Sequence, residues 1–231
     1  MYLYGLETPV TLLLTLLGIG VVIFAQFKIN SAYGKYKKVS CKKGVTGFDV
    51  ARMILDSNGL SDIHIVEVKG ELSDHYDPSR KVVRLSHDIF HGSSIASISV
   101  AAHECGHAIQ DKENYSFMRI RSALVPFVNF VSYAGYFISI FAFFIGVVGY
   151  LKVGIFMLLA TILFQLVTLP VEFDASRRAK LEMEKLGIID SNEIDGVKSV
   201  LGAAAFTYVA SLLSSLLNLL RLVLMFNDRD N

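Results

Sequence analysis

Three residues in the stretch AAHECGHAIQDKEN, Ala101–Asn114, could do chemistry by their type and spacing: His103 and His107, four apart, and Glu104 beside the first. On a helix, residues four apart share a face about 6 Å from one another, so both imidazoles can aim at one ion, each about 2.0–2.1 Å from zinc. Glu104 is then offset from the ion. A carboxylate there can reach a metal-activated water without occupying a coordination position, and zinc lowers the pKa of such a water to about 7. The pattern encodes the making of a nucleophile. The plainer alternative is a pair of surface histidines in ordinary hydrogen bonds. Against it, Ala96, Ser99 and Val100 fall on the same helical face and leave room for an ion and a substrate. The flanks HDIFHG and QDKEN make this helix too short and too polar to lie inside a bilayer, which argues against a protease that cuts within the membrane.

Zinc hydrolases commonly use three protein ligands and leave a fourth position to water. No histidine follows His107, so the third ligand is a carboxylate or an upstream histidine. The segment LPVEFDASRRAKLE offers Glu172, with Asp174 as the weaker rival. The competing reading of Glu172 is an interfacial carboxylate paired with Arg177 or Arg178, since charges routinely flank membrane spans. Upstream, DHYDP presents His75 as a donor that could stabilise the oxyanion of a tetrahedral intermediate. A simple turn fixed by Asp77 and Pro78 is the alternative. His64, His87 and His91 read as surface or packing residues.

The elements that must position these residues follow from the apolar pattern. Four stretches approach the roughly 20 residues a helix needs to cross a bilayer: Pro9–Phe27, Leu124–Tyr150, Val153–Val171 and, interrupted by polar residues, Val200–Phe226. Only Glu7 is charged before the first, so it reads as a retained anchor and not as a signal peptide. Lys28, Lys35, Lys37, Lys38, Lys42 and Lys43 follow it, and the positive-inside rule puts them in the cytoplasm. The second and third stretches should form an antiparallel hairpin, with basic residues at both ends and its YLKVG tip facing away from the cytoplasm. Such a hairpin would return Glu172 beside the histidine helix. The fourth stretch carries Ser211, Ser214, Ser215, Asn218 and Arg221, and is read either as a spanning helix or as one packed on the cytoplasmic domain.

The expected division is therefore a transmembrane anchor (1–27), a cytoplasmic catalytic domain (28–122), a transmembrane hairpin (123–171), a cytoplasmic segment with the third ligand (172–199) and a C-terminal apolar helix (200–231). Within the catalytic domain, TGFDVARMILDSNGL reads as a helix capped by Thr46 or Asp49 and stopped by Gly59. IHIVEV and KVVRLS read as strands with YDPSR turning between them, the histidine helix starts after Ser93 or Ser94, and DSNE at 190–193 resembles a capping box. The fold class is mainly α with a small β-sheet.

SDHYDPSRKVVRLS, VAAHECGHAIQ and VEFDASRRA resemble the YugP-type family of membrane zinc metallopeptidases over most of the chain. More distantly, the layout is similar to the HtpX and CAAX-prenyl protease clan of gluzincins: strand, HExxH helix, transmembrane hairpin, then a glutamate ligand in a motif E-x-x-A-D. The resemblance implies Zn2+ as cofactor, His103, His107 and Glu172 as its ligands, Glu104 as catalytic base, and a gluzincin-like cytoplasmic domain held by about four membrane helices. Here Ser176 stands where the distant clan has its aspartate, and Asp174 sits two residues after Glu172.

Composition narrows the function classes. With 53% hydrophobic and 19% charged residues, the 231-residue chain is too apolar for an ordinary soluble domain and too charged for a pure membrane bundle. A net charge of +1 offers nucleic acid no broad attraction. Two cysteines, Cys41 and Cys105, provide neither a disulfide framework nor a four-cysteine zinc site. The expectation is a multi-pass cell-membrane metallopeptidase with its site at the cytoplasmic face, in contact with the lipid bilayer and acting on polypeptide or membrane-protein substrates. A zinc-bound scaffold without proteolysis and a zinc hydrolase of a non-peptide lipid or amide are the rivals.

Overall fold

The computed structural model describes residues 8–70, 73–145 and 150–230. It is mainly helical with one three-stranded sheet. In chain order the elements are α1 (Pro9–Tyr36), α2 (Gly47–Ser57), β1 (His64–Val68), β2 (His75–Asp77), β3 (Val82–Ser86), α3 (His87–Phe90), α4 (Ile95–Lys112), α5 (Ser116–Ile145), α6 (Tyr150–Lys185) and α7 (Ile194–Asp230). Contacts divide the chain into two units, one of residues 27–119 and 170–206, the other of residues 1–26, 120–169 and 207–231.

In the first unit, local chemistry sets the ends of the elements. Thr46 and Asp49 close α2 reciprocally: the Thr46 hydroxyl accepts from the Asp49 N–H and the Asp49 carboxylate from the Thr46 N–H, a full capping box. Gly59, at φ +63°, takes the left-handed conformation that follows this helix. Ser94 caps α4 by accepting from the Ser97 N–H. At 190–193 the Glu193 carboxylate accepts from the Asp190 N–H and also from the Lys42 N–H, which ties the start of α7 to the segment after α1. The sheet order is β1-β3-β2, with β1 and β3 parallel and β2 antiparallel to β3 in the register Tyr76↔Val83. DHYDP is thus half strand and half turn. His75–Asp77 forms β2, and the Asp77 carboxylate accepts from the N–H groups of Ser79 and Arg80 to shape the turn that follows. Its three-residue length and flanking turn signals hid this strand from the alternation pattern.

The core of this unit is the seam between α2 and α4. Val50, Ala51, Ile54 and Leu55 pack with Ala101, Ala102, Cys105 and Ala108, closed by Val83 and Leu85 of the sheet, Met183 of α6 and Val197 of α7. Burying each large member of such a seam contributes about 1.5–3 kcal/mol. Cys105 belongs to this packing and not to the chemistry: it is fully buried, its Sγ faces the Ala51 carbonyl, and burial pushes its thiol pKa far up.

Among the described residues, three helices are long and apolar enough to cross a membrane: Pro9–Tyr36, Lys152–Lys185 and Ile194–Asn227. The polar-interrupted fourth stretch is one of the three. Leu12, Leu16, Ile23 and Phe24 of α1, and Phe156, Leu159 and Leu163 of α6, are exposed large apolar side chains, an arrangement suited to lipid and costly in water. The stretch expected at Leu124–Tyr150 lies in α5 as far as Ile145, residues 146–149 lie outside the described residues, and the expected YLKVG tip forms the first turn of α6.

Candidate metal centre

The α4 helix places His103 and His107 one turn apart, with ring centroids 4.7 Å from each other and planes nearly perpendicular. Facing them from α6 is Glu172, 69 residues beyond His103 and only 2% exposed. Its Oε2 lies 3.2 Å from His103 Nε2 and 3.7 Å from His107 Nε2. One ligand atom from each of the three side chains falls within 4.8 Å of the others. Tetrahedral coordination with bonds of 2.0–2.1 Å separates ligand atoms by roughly 3.3 Å, so two imidazoles and one carboxylate at these distances fit zinc.

What brings Glu172 so close is a missing side chain. A Cβ built on Gly106 would stand 2.5 Å from the Ala175 carbonyl oxygen and 3.1 Å from its Cα. The backbones of α4 and α6 therefore meet at the one glycine between the two histidines, and Glu172, three residues before Ala175, is delivered to the ring nitrogens. The motif's Gly106 is a packing residue for the site, a role that the histidine spacing does not announce.

Each histidine is held through its other nitrogen. Gln110, fully buried one turn after His107, has its Oε1 3.0 Å from His107 Nδ1, while its amide nitrogen donates to the Val171 carbonyl at 2.8 Å and to Asp174 Oδ2 at 3.0 Å. Two acceptors fix the amide's orientation. Its oxygen must then face His107, which places the proton on Nδ1 and leaves Nε2 with a lone pair toward Glu172. His103 Nδ1 lies 3.2 Å from the Ser176 hydroxyl, at the position where the distant clan has aspartate. Asp174 is not one of the three grouped residues. It accepts from Gln110 and from Arg177 and Arg178, and Arg178 also pairs with Glu113. These arginines thus engage Asp174, and the alternative that had Glu172 paired with them is not what the structure forms. Gln110 was missed in the sequence; its signal is the three-residue step from His107, which puts it on the same helical face.

The electrostatics follow from this geometry. Burial alone would raise the Glu172 carboxyl, but the facing imidazoles of His103 and His107 outweigh it and hold the group well below the carboxylate range. Burial would likewise depress His107, but Glu172 and Glu104 overcome it and raise it. Burial would also raise Asp174, yet Arg178, Gln110 and Arg177 keep it ionised to lower pH than usual.

Glu104 is buried, and its Oε2 accepts from the Tyr76 N–H at 2.9 Å. That N–H points away from β3, on the free edge of β2. The Tyr76 hydroxyl donates to Asp111 Oδ2 at 2.7 Å, and Lys81 pairs with the same carboxylate. Asp111 is seven residues, two turns, after Glu104, so Tyr76 grips α4 at two points along one face. The burial of its ring, with Asp111 adding to it, pushes the phenol pKa up, and the group stays a neutral donor. His75 is not one of the three grouped residues: its side chain is exposed and its Nδ1 lies 2.7 Å from the Ser73 carbonyl, while the N–H of the next residue holds Glu104.

Comparison with known proteins agrees with this chemistry. The chain is 47% identical over 218 residues to a protein of Bacillus subtilis (strain 168) named "Putative membrane protease YugP", covering 94% of this chain and 97% of that protein. No solved structure matches the chain. A family model described as "Putative neutral zinc metallopeptidase" matches residues 11–227. The chain belongs to that zinc metallopeptidase family.

Proposed function

We propose that this protein is a membrane-anchored zinc-dependent endopeptidase of gluzincin type, with His103, His107 and Glu172 holding the metal and Glu104 as general base. The observation that carries the reading is the buried Glu172 carboxylate lying between the two Nε2 atoms, although it comes from a helix far along the chain. Zinc held there supplies Lewis-acid polarisation of a carbonyl and an acidified water. The protein's own groups do the rest. Glu104, kept off the metal trio and anchored by the Tyr76 N–H, accepts the proton from water and returns it to the leaving amine. Gln110 and Ser176 keep both imidazoles in the ligating orientation. The substrate is taken as an extended segment clamped against a strand of the domain through backbone hydrogen bonds, with the Tyr76 N–H of the edge strand β2 reserved for Glu104. His75, on that same edge strand, is assigned the oxyanion donor role, and His75→Ala should then lower kcat with little change in KM.

A structural zinc site usually closes all four positions with protein ligands, whereas this group, among the described residues, has three and a base beside it. Substrates are polypeptides, including membrane proteins, reached at the cytoplasmic face of a multi-pass cell-membrane protein, in keeping with the lysine-rich segment after α1. The test is Glu104→Gln in the full chain. It should bind as much zinc as wild type and lose cleavage of an unfolded polypeptide by at least about a hundredfold. Retained cleavage removes the base from the mechanism, and zinc binding in Glu172→Ala undiminished from wild type in both amount and affinity removes the third ligand.

A further inference from the structure

A second group of metal-ligating side chains lies in the same unit and shares no residue with the first. Glu67 is at the end of β1, and His87 and His91 begin and cap α3. The parallel register sets Glu67 opposite Leu85 and Val68 opposite Ser86, so the carboxylate comes up beside the point where β3 ends and α3 starts. His87 and His91, four apart, turn to it together: His87 Nδ1 lies 2.7 Å from one carboxylate oxygen, His91 Nε2 lies 3.0 Å from the other, and the ring centroids are 4.8 Å apart. One ligand atom from each residue falls within 4.8 Å of the other two.

The plain reading is a glutamate hydrogen-bonded to two imidazoles on a solvated surface, with side-chain exposures of 42%, 73% and 55% for Glu67, His87 and His91. Exposed pairs of this kind contribute little, and holding three mobile side chains to one point costs rotamer entropy. Yet the segment carrying the histidines is firmly built. Ile89 is buried, the Asp88 carbonyl accepts from the Ser97 hydroxyl, and the Gly92 and Ser93 carbonyls accept from the N–H groups of Gly47 and Cys41. The His91 ring is also backed by Phe90, which stacks on Phe48. A rigid mount that presents two imidazoles and a carboxylate at one point is a ligand set for a late first-row dication.

We propose that Glu67, His87 and His91 bind a second, exchangeable Zn2+, which clamps the end of β1 to α3, four residues before the helix that carries His103 begins. The site is open to solvent on its remaining positions, so it fills and empties with free zinc, unlike the buried trio. It does not rest on the peptidase reading.

The test uses the full chain in detergent, stripped with chelator and titrated with zinc against a competing indicator. Wild type should bind two equivalents of different affinity. The double variant His87→Ala/His91→Ala should lose the weaker one only, and Glu67→Gln should weaken it by at least the roughly 10–100-fold that removing even an outer partner of a metal site costs. All three residues are exposed, so these variants should fold, which circular dichroism checks. Equal stoichiometry in wild type and the double variant overturns the proposal. A single wild-type equivalent that is lost in His87→Ala/His91→Ala and kept in Glu172→Ala would sustain this site and sink the peptidase centre instead.

Discussion

Replacing Gln110 by alanine should weaken zinc binding without touching a ligand. The amide is fully buried and makes three contacts, to His107 Nδ1, the Val171 carbonyl and Asp174. Alanine strands the first two inside the protein. A buried polar group left without a partner costs about 1–3 kcal/mol, and water entering the space left by the amide recovers part of that, so the fold should lose about 2–4 kcal/mol in all. His107 is also freed to turn or to change tautomer, which for an outer partner of a metal ligand typically costs 10–100-fold in affinity, or about 1.4–2.8 kcal/mol. Competition against a fluorescent chelator measures the affinity, and thermal midpoints with and without metal measure the fold. Gln110→Glu separates the two effects. Its carboxylate still accepts from His107 and makes the ring more basic, yet it faces the Val171 carbonyl and Asp174 with acceptor against acceptor. Stability should therefore fall while zinc affinity holds. If Gln110→Ala keeps an affinity within about threefold of wild type, the imidazole is not oriented through this amide and the reasoning fails.

Gly106→Ala tests the close approach of α4 and α6. Alanine gains up to about 1 kcal/mol in helix propensity, but its Cβ must move at least 0.5 Å, from 2.5 to 3.0 Å, away from a backbone oxygen that has no rotamer to escape by. Overpacking costs of about 1–3 kcal/mol should win, and zinc affinity should fall with stability because the shift separates Glu172 from both rings. An unchanged affinity would show that the glycine does not set the ligand distance. Asp174 predicts a pH dependence: its folded pKa lies below the unfolded value of about 3.9, so its stabilisation is complete above that value and is lost as pH falls through the folded pKa. The thermal midpoint of Asp174→Asn should accordingly fall less than that of wild type between pH 5 and pH 3, and parallel curves would contradict this.

Much of the site was legible because it is local. The imidazole pair and its glutamate sit within five consecutive residues, and the caps at Thr46, Ser94 and Glu193 are short-range hydrogen bonds that residue types announce. What stayed hidden depends on distant partners. Nothing near Glu172 distinguishes a ligand from an interfacial carboxylate until Gly106 is seen against Ala175, a contact spanning 69 positions. Gln110 reads as one more polar residue ahead of Asp111 and Lys112 until Val171 supplies its acceptor. The strand at His75–Asp77 is too short to alternate visibly, and its edge position comes from pairing with β3 alone. Ser176 breaks the distant clan's pattern, but a hydroxyl in that place still reaches His103.

The anchor of Glu104 is a peptide hydrogen and not a side chain. Every amino acid except proline supplies one, so a survey that exchanges residue 76 one type at a time will register the ring and its Asp111 bond while leaving the carboxylate's tether intact. Only proline, or chemistry on the main chain itself such as an ester in place of that amide, cuts it. The side chain at this position can thus change without loosening the group that handles the proton.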